Sequence, residues 1–148
     1  MGQGLLVAVR IKGSIGLDDA RRRTLEYLRL KRVHTAVLLP DTPSIRGMLR
    51  KVERYVTWGT PSGKTIYKIL KRSGVGKDDL EKLGLQSLES LAEKLKTDPN
   101  ILWKLRLKPA RFGPPKGGYK RTIKRPYRYK GEYGVRDEAI DQLVRSIA

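Results

Sequence analysis

The sequence predicts an α+β fold, in which residues 5–59 form a small sheet in β-α-β-α-β order with helices on one face. Short aliphatic runs alternate there with segments whose apolar residues recur at helical spacing. From residue 61 to 103 only the helical spacing remains, and from 104 to 130 no period persists. The chain is therefore expected to continue as an all-helical insertion, an extended basic segment and a C-terminal helix.

Three short runs predict the strands. Leu6 to Lys12 alternates, so Val7, Val9 and Ile11 are expected to face a core while Arg10 and Lys12 face outward. The run 36–39 ends at a proline, and 55–58 gives the third strand. The single histidine, at position 34, excludes a two-histidine metal motif and is expected to border the second strand.

Capping residues predict where the helices begin. Asp18 and Asp19 suit the N-terminus of the first helix, where negative charge is favoured. Thr42 is a good N-cap for the second helix, and Pro43 fits its first position. In the insertion, helices are predicted over 62–72, over 78–83 and after Ser87, and the last helix follows a turn over 131–134. The predicted organisation is a core domain (1–60), a helical insertion (61–103), an extended basic segment (104–130) and a C-terminal turn and helix (131–148).

The basic segment 104–130 is the strongest indication of function. It holds eleven Lys or Arg, no Asp or Glu, four prolines and four aromatic residues. Prolines remove backbone donors, and like charges repel, so neither a packed helix nor a central strand is expected. A polyanion would neutralise this charge, and aromatic rings among arginines suit stacking on bases. The alternative is a solvated basic loop, but a structureless loop of this length is uncommon unless it is functional.

Composition narrows the function classes. The chain has 148 residues and a net charge of +18, which favours a nucleic-acid partner over an anionic membrane surface. It has no cysteine, no apolar run of transmembrane length and no signal-peptide pattern, so an intracellular, cytoplasmic protein is expected. The carboxylates are scattered and no phosphate-loop motif is present, so we expect no enzyme activity, no cofactor, no metal and no small-molecule substrate.

Two shorter basic clusters lie in the predicted core. The first follows the first helix, where positive charge also complements the helix C-terminus. The second surrounds Gly47 on the second helix. A glycine inside a helix costs roughly 1 kcal/mol relative to alanine, so another backbone or an RNA strand is expected to approach it closely. Trp58 and Trp103 are expected to be core or hinge residues rather than stacking platforms.

Three stretches carry a resemblance to a known family. They are VAVRIKGSIG near the start, TLEYLRLKR at the end of the first helix, and DTPSIRGMLRKV in the second. Residues 5–59 resemble the universal large-subunit ribosomal protein family L-thirty, and the whole chain is similar to its archaeal branch. One departure is Glu132 in KGEYGVR, where that branch leads us to expect a glycine; this leaves the conformation of the turn open.

The resemblance implies a three-stranded antiparallel sheet with two helices on one face, and a structural role without catalysis. It implies 23S ribosomal RNA as partner, near 5S RNA, alongside other large-subunit proteins. Matching positions make Arg29, Lys31, Arg32, Arg46 and Gly47 expected RNA contacts. Basic composition and position add Arg50, Lys51, Arg106, Lys108, Arg111, Lys116, Lys120, Arg121, Lys124, Arg125, Arg128 and Lys130.

Two other function classes are open at this point. A DNA-binding chromatin or regulatory protein could use residues 62–96 as a helix-turn-helix-like module, although that segment is modest in charge and the basic segment has no repeated groove-binding unit. A nuclease is the third class, and it is disfavoured because no carboxylate or histidine cluster is visible.

Overall fold

The computed structural model describes residues 4–73, 75, 77–98, 101–102, 109–115, 118–119 and 121–147. The first half of the chain alternates strands and helices as predicted, and the second half adds three helices, three strands and a last helix. In chain order the elements are β1 (Leu5–Arg10), α1 (Asp19–Tyr27), β2 (Thr35–Pro40), α2 (Pro43–Lys51), β3 (Val56–Gly59), α3 (Gly63–Arg72), α4 (Lys77–Lys82), α5 (Leu88–Thr97), β4 (Ala110–Arg111), β5 (Thr122–Pro126), β6 (Gly131–Val135) and α6 (Ile140–Ile147).

The sheet has six strands in the order β4-β2-β1-β3-β6-β5, so the prediction of a three-stranded sheet is wrong in its extent. The central trio matches the expectation: β1 pairs antiparallel with both β2 and β3, with Ala8 opposite Val37 on one side and Trp58 on the other. The additional strands come from the basic segment and the predicted turn. These strands pair with residues far apart in sequence, and such pairings leave no periodic pattern from which a strand could be predicted.

The two core helices lie on one face of the sheet, as predicted, and α3 and α6, for which the sequence predicted no position, cover the other face. On one face α1 and α2 pack on the core strands, with Leu25 and Leu49 against Leu6 and Ala8. On the other face Val7, Val9 and Ile11 pack against residues of α3, β4 and α6, which are Ile69, Ala110, Ile140, Leu143, Val144 and Ile147. Every residue of β1 is therefore buried.

The helical insertion has a small core of its own. In α3 the buried residues include Ile66 and Leu70, and they meet Leu91 and Leu95 of α5. Side-chain caps start both helices, because Ser62 and Ser87 each accept a hydrogen bond from the backbone N–H three residues on. Asp18 and Thr42 do the same for α1 and α2. The cap at Ser87 was predicted, whereas Ser62 was predicted only as the first residue of its helix. Three residues with sequence-based predictions lie outside the described residues: Gly74, expected to end the first helix of the insertion, Pro99, expected to start a short turn, and Trp103.

The predicted turn over 131–134 is the strand β6. Its Gly134 and Val135 pair in parallel with Thr57 and Trp58 of β3. The Thr57 hydroxyl donates a hydrogen bond to the carbonyl of Gly134 at 2.7 Å, which adds a side-chain contact between β3 and β6. β5 joins the far side of β6 with an irregular register.

Glu132, the departure from the family pattern, is buried within β6 and ties three segments together. Its carboxylate accepts a hydrogen bond from the backbone N–H of Arg121 at 2.9 Å and pairs with the guanidinium of Arg136. Arg136 also donates to the Thr57 hydroxyl at 2.8 Å. Both members of the pair are almost inaccessible to solvent, with side chains 6% and 7% exposed. A buried charge needs such partners, since an unpaired one would be costly.

Gly59, at the end of β3, allows the C-terminal segment to lie close. A Cβ atom at this position would collide with the backbone carbonyl of Asp137, and the N–H of Thr60 donates to that same carbonyl at 3.2 Å. Close backbone approach of this kind requires glycine.

Within the described part of the chain, no helix is both long and apolar enough to cross a membrane.

Candidate nucleic-acid interface

The loop between α1 and β2 carries the first predicted cluster, and a buried arginine holds its backbone. Arg10 is 2% exposed, which corrects the prediction that it faces solvent. Its guanidinium donates to the carbonyls of Leu30 at 2.9 Å and Lys31 at 2.6 Å. Helices on both faces of the sheet leave β1 no outward side, so Arg10 finds backbone acceptors instead of water. Burial lowers the pKa of Arg10, and nearby Tyr55 raises it.

Two residues in the left-handed region delimit this loop. Arg29 has φ 64° and His34 has φ 63°, a conformation that few non-glycine residues adopt. Such positions cost about 1–3 kcal/mol each and cluster at functional sites. Arg29 itself is exposed, and so are Lys31 and Arg32, which lie between these two positions. The loop therefore has a fixed backbone with cationic side chains turned to solvent.

A pocket of about 880 Å³ lies beside this loop. Arg72, the last residue of α3, reaches it from the insertion, and Arg111 reaches it from β4. Arg111 stands opposite Thr35 because β4 pairs with β2 at the edge of the sheet. The structure thus unites the predicted loop cluster with one predicted residue of the basic segment. Arg72 was not predicted. In the sequence Arg72 appears only as a basic residue at the end of an amphipathic helix. Basic residues are common at helix C-termini, so this position did not indicate a binding role.

The second predicted cluster lies on α2 and divides into different roles. Arg46 is only partly exposed and forms a two-point ion pair with Asp41, with N–O distances of 2.5 and 2.9 Å. This hydrogen bonding lowers the pKa of Asp41. Arg50 and Lys51 are exposed. Arg46 therefore already fastens the start of α2 to the end of β2, whatever else it contacts.

Gly47 lies on the open side of α2. No described atom stands within 4 Å of the position that its Cβ would take, so the predicted close approach of another protein backbone is not found there. An open groove of about 590 Å³ runs past this glycine between α1 and α2. The groove is bordered by small and polar residues, two cations, a tyrosine and a methionine. Its lining residues are Ala20, Arg23, Thr24, Tyr27, Ser44, Gly47, Met48 and Lys51.

The basic segment reaches both edges of the sheet. Arg111 is on β4 at one edge, and Lys124 and Arg125 are exposed on β5 at the opposite edge. Arg121, Arg128 and Lys130 are exposed near β5, and Lys130 has φ 64° after a 3-10 turn over Tyr127–Tyr129. The segment is thus extended but paired at the edges, where charge is tolerated. The predicted contacts Arg106, Lys108, Lys116 and Lys120 lie outside the described residues.

Aromatic residues of the basic segment stack on arginines of the protein itself. The guanidinium of Arg121 lies 5.2 Å from the ring centre of Tyr127, and that of Arg136 lies 4.8 Å from the same ring. Tyr119 stacks on His34 at 6.0 Å. Its hydroxyl is buried, and desolvation, followed by the charge of Glu132, raises the pKa of Tyr119 to about 12. Tyr129 is exposed, so among the described tyrosines of this segment it is the one that best fits base stacking.

The insertion has mixed charge on its outer face. Exposed Glu89 and Glu93 lie on α5, and Asp78 and Glu81 lie on α4. Carboxylates spread in this way would oppose a DNA backbone, so the geometry gives no support to a helix-turn-helix-like module over 62–96. Trp58 belongs to the core, in agreement with its predicted role.

Comparison with known proteins decides between the remaining classes. The family described as ribosomal protein L30p/L7e matches residues 6–56. The large ribosomal subunit protein uL30 of Ignicoccus hospitalis is 41% identical, and the alignment covers 97% of this chain and 98% of the relative. The chain belongs to the uL30 family. Its uL30 relatives in Thermofilum pendens and Saccharolobus islandicus are 38% and 37% identical, each over 95% of this chain and 96% of the relative. The family match spans the β-α-β-α-β core, and the full-length uL30 relatives extend over the insertion and the basic segment as well.

Proposed function

We propose that this protein is a structural, non-catalytic constituent of the large ribosomal subunit in the cytoplasm, and that it binds 23S ribosomal RNA near 5S RNA. Membership of the uL30 family supports the first part, since the relatives are named as large-subunit proteins. Other large-subunit proteins are its expected neighbours. The RNA assignment rests on the surface of the molecule.

The RNA assignment rests on one observation, which is that several of the predicted cationic residues are exposed and unpaired with carboxylates. In the described part of the chain, Lys31, Arg32, Arg111, Lys124 and Arg125 are exposed and form no ion pair with a carboxylate. Cations left without internal partners on several sides of one molecule favour a partner that surrounds it with phosphates. Folded RNA offers such a partner, and its helices are recognised largely by shape and backbone.

The β5 edge provides the sharpest test, because its cations can be changed without touching the buried pairings. We expect Lys124→Gln, Arg125→Gln and Arg128→Gln together to weaken binding of the full chain to transcribed 23S ribosomal RNA. The plot of log K against log salt should become shallower by roughly 0.7 to 0.9 for each phosphate that the variant no longer neutralises. A matched control replaces Lys82, Lys94 and Lys96 of the insertion with glutamine. Equal slopes for the two triple variants would contradict a role for the β5 edge.

Assembly and location need a second measurement. The protein should sediment with the large subunit after a moderate salt wash, and cross-links from this chain should include 5S RNA if the proposed location is correct. Sedimentation with the small subunit, or cross-links confined to DNA, would contradict the proposal.

A further inference from the structure

The pocket beside the α1–β2 loop is assembled from three distant parts of the chain. The loop contributes three cations, α3 contributes one and β4 contributes one. Among the described lining residues Glu26 is the one that is acidic, so the described charged side chains around this concavity sum to a strong positive excess. The cationic lining residues are Arg29, Lys31, Arg32, Arg72 and Arg111.

Arg72 is held in place at this pocket by contacts that leave most of its donors available. Its Nη1 donates to the backbone carbonyl of Arg111 at 2.9 Å, and its guanidinium lies 4.7 Å from the ring centre of Phe112. A guanidinium has five N–H donors, so one hydrogen bond leaves several for an anion. Planar guanidinium groups suit phosphate because two parallel hydrogen bonds can form.

The loop and β4 are also held together. The backbone of Phe112 donates to the carbonyl of His34 at 2.9 Å, which joins β4 to the end of the loop. Buried Arg10 binds the loop carbonyls from inside. The cations are thus gathered on a rigid frame although they repel one another. An anion that enters needs little rearrangement of the backbone, which is the condition for strong electrostatic binding.

The size of the pocket indicates what enters. A volume of about 880 Å³ lies in the range that holds ligands of drug size. A single phosphate would occupy only a small part of it, whereas it has room for a nucleotide with its two flanking phosphates. We propose that this pocket receives one nucleotide of ribosomal RNA at a bend of its backbone, and that Arg72 of the insertion is a direct phosphate ligand. This inference rests on the proposed function and adds a specific site to it.

Arg72→Gln in the full chain tests the inference, with Lys71→Gln as its matched control. Lys71 precedes Arg72 on α3, is exposed and does not line the pocket, and the charge change is the same. With transcribed 23S ribosomal RNA as the probe, Arg72→Gln should weaken binding about tenfold or more, as expected when a hydrogen bond between charged groups is removed. Its salt slope should fall by roughly 0.7 to 0.9, and Lys71→Gln should keep the original slope.

A purely structural role for Arg72 predicts different results. Phe112→Leu removes the ring beside the guanidinium without changing charge, so it should leave the salt slope unchanged even if it lowers the melting temperature. Arg72→Lys restores the charge and should recover the slope, although not the full affinity. If Arg72→Gln does not fold, Arg32→Gln supplies the same measurement from the exposed loop.

The outcomes separate the inference from the proposed function. If the unmodified chain fails to bind the RNA, the proposed function itself is wrong. If it binds but Arg72→Gln and Arg32→Gln behave like Lys71→Gln, the pocket is not an RNA site. If these variants bind RNA normally and instead lose a cross-link to an acidic segment of a neighbouring protein, the pocket has a protein ligand and the inference is overturned.

Discussion

Replacing Gly47 with alanine should make the free protein more stable and the RNA complex weaker. Gly47 is the fifth of the nine residues of α2, and its Cβ position is open in the described structure. Alanine is favoured over glycine inside a helix by about 0.8–1.0 kcal/mol, and no described neighbour would offset that gain. For a chain of this size, 1 kcal/mol corresponds to a rise of roughly 2–4 °C in melting temperature.

The RNA complex should respond in the opposite direction if the groove between α1 and α2 receives RNA. A methyl group at Gly47 would separate the backbone of α2 from the RNA, and Gly47→Gln, with similar helix propensity but more bulk, should weaken binding further. Thermal unfolding of the free protein and titration with 23S ribosomal RNA measure the two effects. Gly13→Ala, at an exposed loop glycine with open space around it, is the control.

Each measurement can refute a part of this reasoning. A lower melting temperature for Gly47→Ala would mean that α2 packs against something the geometry does not reveal. Unchanged RNA affinity for both Gly47 variants would mean that RNA does not approach this stretch. The nearby cations Arg50 and Lys51 would then be solvated residues of a helix face.

Two further predictions concern buried polar groups. Glu132→Gln leaves the guanidinium of Arg136 buried without its counter-charge, so it should destabilise the protein by about 3 kcal/mol in urea unfolding, whereas Glu89→Gln on the surface should change little. Equal effects of the two substitutions would argue against a stabilising pair. Burial lowers the pKa of His34, whose Nε2 has no hydrogen-bond partner in the described structure. The imidazole of His34 therefore binds a proton more readily in the unfolded chain than in the folded one, so stability should fall as the pH drops below about 6.5. The fall should be smaller in His34→Asn, whose side chain tolerates the left-handed backbone at this position. Parallel pH profiles of the two melting temperatures would contradict this account.

Local chemistry made the first half of the fold predictable. Helix starts followed from single residues, since Asp18, Thr42 and Ser87 each cap the helix that the sequence assigns to them. The strands β1 and β2 followed from alternation and from the proline at position 40. These signals act within a few residues, so a sequence displays them directly.

The outer strands and the second helical layer were not predictable in the same way. β4 has two residues and lies among prolines, so its pairing with β2 has no local signature. β6 contains two glycines, which are typical of turns, yet long-range pairing with β3 makes it a strand. Arg10 was misplaced for the same reason. An alternating strand has a solvent face only if one side of the sheet is bare. Arg10 lies on the face of β1 that carries Leu6 and Ala8, which α1 and α2 cover, while α3 and α6 cover the other face.

The candidate site was predictable in composition but not in assembly. Arg29, Lys31 and Arg32 stand together in the sequence, so a cluster was visible there. Arg72 and Arg111 join them only through the pairing of β4 with β2 and the packing of α3, and neither contact has a short-range signal. The buried role of Glu132 had a weak signal in the sequence, because this carboxylate comes directly after a long run without acidic residues.

The basic segment lies at both edges of the sheet, so its cations can affect both self-association of the free protein and binding of RNA. Edge strands expose unpaired N–H and C=O groups, and lysine or arginine there discourages pairing with another chain. Lys124 and Arg125 on β5 fulfil that requirement in the free protein, where both are exposed. In the RNA complex that we propose, the same two side chains would be available to phosphates. A neutral substitution on β5 is therefore expected to have two separate effects, self-association of the free chain at low salt and a shallower salt slope for RNA. The first depends on protein concentration and the second does not, so a dilution series distinguishes them.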